Sequence, residues 1–154
     1  MNIWYILNGL ILIFAISKVA MKPISAITFF GLLGFLFIMF NWTRQAVFKT
    51  IRDSPYREQK IRFANFSKRV LPLHKWTGTI SLILILIHAI FVIQMYGLLL
   101  TNKKIMTGLF AIIVLIFLVV SGWLRWVKTT PIRRYVHWGL GFTIFFLIIV
   151  HIIL

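Results

Sequence analysis

Five apolar stretches dominate this sequence, and each is long enough to cross a lipid bilayer. A transmembrane helix needs about 20 mostly apolar residues to span a hydrocarbon core of about 30 Å. Of the 154 residues, 61% are apolar, whereas soluble domains contain roughly 45–50%. The pattern predicts an all-α integral membrane protein, a single domain built as a bundle of about five transmembrane helices. The predicted helices cover residues 3–20, 24–41, 73–100, 105–126 and 132–154, and a basic cytoplasmic loop covers 42–72.

Proline positions and the N-terminal sequence refine these predicted helices. Pro23, Pro72 and Pro131 each fall at a predicted helix start, where the missing backbone N–H costs little. The N-terminal stretch has neither the cationic region nor the small-residue cleavage site of a signal peptide. We therefore expect the first helix to be retained.

Positive charge lies mostly on one side of the predicted bundle. The chain has 17 lysines and arginines but only two acids, Asp53 and Glu58. Thirteen of the cations lie in the segments that follow helices two and four, and four follow helices one and three. Because cationic loops stay in the cytoplasm, the N-terminus is predicted inside and the C-terminus outside. The bias is typical of a multi-pass protein of a bacterial cytoplasmic membrane, and it predicts a lipid bilayer rather than nucleic acid as the partner.

The absence of cysteine removes several kinds of redox and metal site. Without cysteine there is no disulfide, no thiolate-ligated heme, no iron–sulfur cluster on thiolates and no heme attached through a C-x-x-C-H motif. The two acids lie in one basic segment, so paired-carboxylate chemistry is also excluded. Histidine is the residue type that remains for site chemistry.

The four histidines form two equal spacings. His74 and His88 lie fourteen residues apart on predicted helix three, and His137 and His151 lie fourteen apart on predicted helix five. Fourteen residues make about 3.9 helical turns and a rise of about 21 Å, so each pair shares one helix face. Helices three and five cross in the same direction. His74 is therefore expected at the depth of His137, toward the cytoplasm, and His88 at the depth of His151.

Two facing histidines at one depth can supply both axial ligands of a heme iron in a bundle core. The sequence thus predicts two b-type hemes, with the four histidines as iron ligands. Glycine follows the first histidine of each pair by four residues, at Gly78 and Gly141, and its small size leaves room for a flat macrocycle. A non-redox metal or structural role for the histidines stays open, although two histidines make only half of a tetrahedral zinc site.

Cations beside the expected hemes are candidate partners for the heme propionates. On the inner side these candidates are Lys68, Arg69, Lys75, Arg133 and Arg134, and on the outer side they are Lys103 and Lys104. The basic segment from Arg44 to Arg69 is a candidate docking surface for an electron donor. The alternative for this segment is an amphipathic stretch that lies on anionic headgroups.

Two segments resemble a known family. Leu73-His-Lys-Trp-Thr-Gly-Thr through His88-Ala is similar to the third transmembrane helix of ferric reductase-like membrane proteins, which include the membrane parts of ferric reductases and NADPH oxidases. Arg133-Arg-Tyr-Val-His-Trp through His151 resembles the fifth helix, especially that of the heme-binding membrane subunit of the bacterial methionine sulfoxide reductase system. The resemblance covers most of residues 24–154, and these two helices are its specific part.

The resemblance implies two b hemes on the four matching histidines. It also implies electron flow from a cytoplasmic reduced flavin or a quinol to an extracytoplasmic acceptor. The family's larger members continue into a flavin and nicotinamide domain, whereas this sequence has no G-x-G-x-x-G phosphate loop. The expected donor is therefore a cytoplasmic flavin reductase, with FMN or FAD supplied by a partner or bound at the cytoplasmic face, or else menaquinol. Whether the chain is an oxidoreductase in its own right or an electron-transfer subunit stays open.

Overall fold

The computed structural model describes residues 3–20 and 23–154, and this part of the chain folds into five α-helices. Their bounds are α1 Ile3–Ala20, α2 Ala26–Asp53, α3 Arg57–Tyr96, α4 Lys103–Val127 and α5 Pro131–Ile153. All five are long and apolar enough to cross a membrane. The predicted all-α class and the number of long apolar helices are confirmed.

Polar side chains cap the starts of three helices. The side chains of Ser25, Asn102 and Thr130 accept hydrogen bonds from backbone N–H groups in the first turns of α2, α4 and α5, which satisfies donors that a helix start leaves unpaired. At the C-terminal end of α3, Gly97 adopts a positive φ of 72°, a conformation that glycine takes without strain. Pro131 is the first residue of α5, as predicted. Pro23 lies two residues before the cap of α2, because the helix begins at Ala26 and not at the predicted residue 24.

The predicted basic loop over 42–72 is wrong, because nearly all of this segment is helical. Helix α2 continues to Asp53 and α3 begins at Arg57, so only residues 54–56 lie outside the two helices. At 1.5 Å per residue, the 40 residues of α3 extend about 60 Å, twice the thickness of the hydrocarbon core. The change from apolar to basic sequence marks where each helix leaves the apolar region and does not mark where the helix ends.

Pro72 accordingly lies inside α3 and not at its start. A proline within a helix removes one backbone hydrogen bond, and long membrane helices tolerate this loss where neighbouring helices support them. Here α3 packs along α2 as the most extensive helix pair in the fold. Hydrogen bonds that His74, Ser81 and His88 make with α2 hold α3 after the proline.

Four of the helices pack as two antiparallel hairpins. Helix α2 packs on α3, α4 packs on α5, and α3 also contacts α4. Helix α1 packs on α2, and its Trp4 ring also contacts Phe142 and Phe145 of α5. The centre of this arrangement is a cluster of Ile38, Leu115 and Ile144, to which α2, α4 and α5 each contribute one residue. A second cluster includes Trp42, which stacks on Phe145 with ring centroids 4.4 Å apart. These contacts hold α3 and α5 side by side without extensive packing between their backbones.

Candidate functional site

The four histidines meet in two pairs between α3 and α5. The ring centroids of His74 and His137 are 6.2 Å apart, and those of His88 and His151 are 6.5 Å apart. In both pairs the ring planes are nearly perpendicular, at 80° and 88°. The order of the two pairs along both helices shows that α3 and α5 run parallel, and each histidine lies beside the partner that the spacing predicts. We call His74 with His137 the inner pair and His88 with His151 the outer pair.

One nitrogen of every imidazole contacts a hydrogen-bond partner on the adjacent helix. Nδ1 of His74 lies 3.0 Å from the amide oxygen of Asn41, and Nδ1 of His88 lies 2.8 Å from the carbonyl oxygen of Ile27, both on α2. On α4, Nδ1 of His137 lies 2.9 Å from the hydroxyl of Ser121. Nδ1 of His151 lies 3.1 Å from the carbonyl oxygen of Lys104. Each imidazole is thus oriented by the hairpin partner of its own helix.

These partners fix which nitrogen carries the proton. Carbonyl and amide oxygens only accept hydrogen bonds, so His74, His88 and His151 must donate from Nδ1. Ser121 gives its own proton to the carbonyl oxygen of Leu118 at 2.7 Å, and its oxygen is then available to accept from Nδ1 of His137. All four Nε2 atoms therefore carry a lone pair. Within residues 3–20 and 23–154, no hydrogen bond engages any of these Nε2 atoms.

Three glycines bring the neighbouring helices against the imidazoles. A Cβ atom on Gly31 would lie 2.8 Å from Nδ1 of His88. A Cβ atom on Gly108 would lie 3.0 Å from Cε1 of His151, and one on Gly122 would lie 3.3 Å from Cε1 of His137. Larger residues at these positions would push the rings away. These glycines were not predicted.

The fourteen-residue spacing of the histidines recurs on α4, in the opposite chain direction. Ser121-Gly122 contacts His137, and Thr107-Gly108 contacts His151, with the Thr107 hydroxyl 3.4 Å from Nδ1. The repeated hydroxyl–glycine dipeptide is the signal in the sequence that identifies the helix supporting α5. On α2 the corresponding partners, Ile27 and Asn41, are also fourteen residues apart.

A closely packed layer separates the inner pair from the outer pair. Ser81 and Ile144 lie midway between the histidines of α3 and α5, and Leu115 lies midway between the two glycines of α4. These three residues are only 1%, 2% and 3% exposed. Ser81 donates a hydrogen bond to the carbonyl oxygen of Gly34 at 3.1 Å. The two pairs are therefore distinct sites at two depths of one bundle.

The predicted glycines and cations have other neighbours in the structure. A Cβ atom on Gly78 would lie 3.4 Å from the amide nitrogen of Asn41, and one on Gly141 would lie 3.7 Å from the ring of Trp42. Lys75 lies over the rings of Trp123 and Trp126, with Nζ 4.1 and 4.0 Å from the ring centroids. A contact between Gly78, Gly141 or Lys75 and a heme stays a prediction.

The remaining inner cations are engaged elsewhere or exposed. Arg133 donates to the carbonyl oxygens of Leu124 and Lys128 at the end of α4, and Arg134 lies over the Tyr135 and Trp138 rings. Lys68 and Arg69 are exposed on α3. The arginines that do act electrostatically on the inner pair are Arg44 of α2 and Arg125 of α4. The sequence analysis did not predict a role for these two arginines beside the histidines.

The geometry defines a class of protein: a five-helix candidate membrane protein with two stacked histidine pairs. No protein-family model, curated protein or solved structure matches this chain. The similarity of α3 and α5 to ferric reductase-like proteins consequently remains a resemblance carried by the residues quoted above.

Proposed function

We propose that this chain carries electrons across a membrane through two b hemes, each held by one histidine pair. The observation that carries the proposal is the matched geometry of the pairs. Metal–histidine bonds are about 2 Å long, so two imidazoles that ligate one iron from opposite sides have ring centres about 6 Å apart. The observed 6.2 and 6.5 Å meet this requirement at both depths.

The protonation of the imidazoles fits the same role. A ligating histidine needs a lone pair on one nitrogen and commonly donates the other N–H to a carbonyl or a similar acceptor. All four histidines are held in this form, with Nδ1 donating and Nε2 available. Asn41 and Ser121 orient the inner pair, and the backbone carbonyls of Ile27 and Lys104 orient the outer pair.

The number of ligands favours heme over a metal held by protein side chains alone. Zinc sites use three or four protein ligands, but no group of three or more metal-binding side chains occurs in the described part of the chain. Each pair supplies two ligands, which is the number that a porphyrin-bound iron requires. When bound, heme supplies reversible one-electron chemistry. The packed layer of Ser81, Leu115 and Ile144 keeps water out of the space between the pairs.

The direction of transfer follows from the sequence. The cations concentrate at the end of the bundle where α2 is joined to α3 and α4 to α5, and this bias supports a cytoplasmic position for the inner pair. We propose a cytoplasmic reduced flavin or flavoprotein as donor and an extracytoplasmic acceptor beyond the outer pair. The protein then acts as the electron-transfer component of an oxidoreductase system in the cell membrane.

The test is an optical spectrum of the detergent-purified protein, oxidised and dithionite-reduced, with heme quantified per chain. We expect two low-spin b hemes in the wild type. His88→Ala, His151→Ala and the double variant should each lose the same single heme, whereas His74→Ala combined with His88→Ala should lose both. Gln94→Ala, an exposed polar position on α3, is the matched control and should retain both hemes. A heme-free wild type from heme-replete cells would refute the proposal.

A further inference from the structure

Two arginines converge on the inner pair from its two supporting helices. On α2, Arg44 follows Asn41 by three residues, and on α4, Arg125 follows Ser121 by four. Residues three or four apart share a helix face, so each arginine lies one turn beyond the residue that orients an imidazole. Both arginines act electrostatically on both His74 and His137. At His74 the effect of Arg44 is the larger one, and at His137 the effect of Arg125 is the larger one.

Within residues 3–20 and 23–154, neither guanidinium has an anionic partner. The Nε atoms of Arg44 and Arg125 are buried without a hydrogen bond, and the two positive charges repel each other. The chain contains only two acids. In the described part of the chain, both ion pairs involve Asp53, which binds Lys49 and Arg52. A buried donor without an acceptor is costly, so each Nε atom is suited to an oxyanion that the described part of the chain does not supply.

We infer that Arg44 and Arg125 form a carboxylate-binding site for the propionate groups of the inner heme. This inference rests on the proposed function. Arginine forks match carboxylates through paired N–H···O hydrogen bonds, and the histidine pair beside these arginines would hold a porphyrin that carries two carboxylates. A phosphate from a lipid or a flavin nucleotide is also an anion. The exposed basic residues of α3 suit such a ligand better, because the Nε atoms of Arg44 and Arg125 are buried.

The inference revises the predicted propionate partners. Lys75, Arg133 and Arg134 have neighbours of their own, which are indole rings, helix-end carbonyls and aromatic side chains. Arg44 also has an aromatic neighbour, the Phe48 ring, whose centroid lies 5.2 Å from Cζ. Arg44 and Arg125 differ from the other three cations because each has a buried Nε atom without a hydrogen bond in the described part of the chain. The symmetry of their placement, one on each supporting helix, matches a ligand with two carboxylates.

The experiment compares heme b with its dimethyl ester, in which both carboxylates are neutral. Apoprotein in nanodiscs is titrated with each porphyrin, and binding is followed by the absorption of the bis-histidine form. The wild type should bind the free acid more tightly than the ester, by roughly tenfold for each arginine. Arg44→Gln/Arg125→Gln should bind the ester as the wild type does but lose the preference for the free acid. Each single variant should lose part of it.

Arg52→Gln, an exposed arginine at the end of α2 with 76% of its side chain accessible, is the control and should keep the full preference. Ester binding shows that each variant is folded. The inference is overturned if the double variant keeps the wild-type preference, or if it weakens both porphyrins equally. Binding of flavin mononucleotide is measured on the same variants. If the double variant keeps the porphyrin preference and loses flavin mononucleotide binding, the two arginines bind a phosphate and the inference is overturned. A wild type that binds neither porphyrin would instead refute the proposed function.

Discussion

Each imidazole of the site is positioned by contacts that its own helix cannot provide. The Nδ1 acceptors come from α2 for the histidines of α3 and from α4 for those of α5. Close approach of the helices is possible because Gly31, Gly108 and Gly122 lie against the rings. The glycines and the hydrogen-bond acceptors of Nδ1 therefore determine how the four imidazoles are oriented, and with it where their Nε2 atoms point.

Gly31→Ala should therefore impair the outer pair selectively. The new Cβ would lie 2.8 Å from Nδ1 of His88, so the ring must move and its hydrogen bond to the Ile27 carbonyl must lengthen. Loss of such an orienting contact typically costs 10- to 100-fold in metal affinity, and we expect about that loss for the outer heme. Heme retention per chain and the reduced spectrum measure it. Gly139→Ala, where no atom lies within 4 Å, is the control, and equal heme loss in both variants would contradict the expectation.

The sequence predicted the site residues unevenly at this scale. Equal spacing on two parallel helices was enough to pair the histidines, because helical rise and face follow directly from residue number. The supporting residues were not found, because a glycine or serine in an apolar helix has many uses. Only the contact with an imidazole distinguishes Gly122 from Gly139.

The packing between helices includes hydrogen bonds from buried hydroxyl groups, of which Ser81 is the most buried. Ser81 is 1% exposed and donates to the carbonyl oxygen of Gly34, midway between the two histidine pairs. This bond joins α2 and α3, the pair of helices with the most extensive packing. It lies in the layer that separates the two depths of the site.

Ser81→Ala should destabilise the fold by about 1 kcal/mol, the usual size of an interhelical hydrogen bond in a membrane protein. The free energy of unfolding in mixed micelles, obtained by titration with a denaturing detergent, checks this value. Ser17→Ala is the matched control, because Ser17 bonds within its own helix, to the carbonyl oxygen of Phe14. Equal stability of the two variants would show that the bond between α2 and α3 contributes nothing specific.

Orientation in the bilayer is a property of the whole molecule, and under the proposed function it decides which pair receives electrons. The cation bias predicts that the turn at residues 54–56 is cytoplasmic and that the connection between α3 and α4 lies outside. The chain has no cysteine, so single cysteines can be introduced against a clean background.

Thr101→Cys should react with a membrane-impermeant maleimide in intact cells, because it lies between α3 and α4. Tyr56→Cys, in the exposed turn between α2 and α3, should react only after the cells are permeabilised. The cysteine-free wild type is the blank for both measurements. If Tyr56→Cys reacts in intact cells and Thr101→Cys does not, the orientation is the reverse of the predicted one. The roles of the two pairs would then be exchanged.

The sequence by itself determined the helical class, the number of spans and the pairing of the histidines, because hydrophobic length and helical rise are local properties that residue order encodes. It did not determine how far α2 and α3 continue, since hydropathy changes where a helix leaves the apolar region even when the helix goes on. Only the tertiary structure decided which helix supports each imidazole and which arginines stand beside the inner pair. These depend on the packing of α2 on α3 and of α4 on α5, which brings together residues such as Asn41 and His74 that are 33 positions apart.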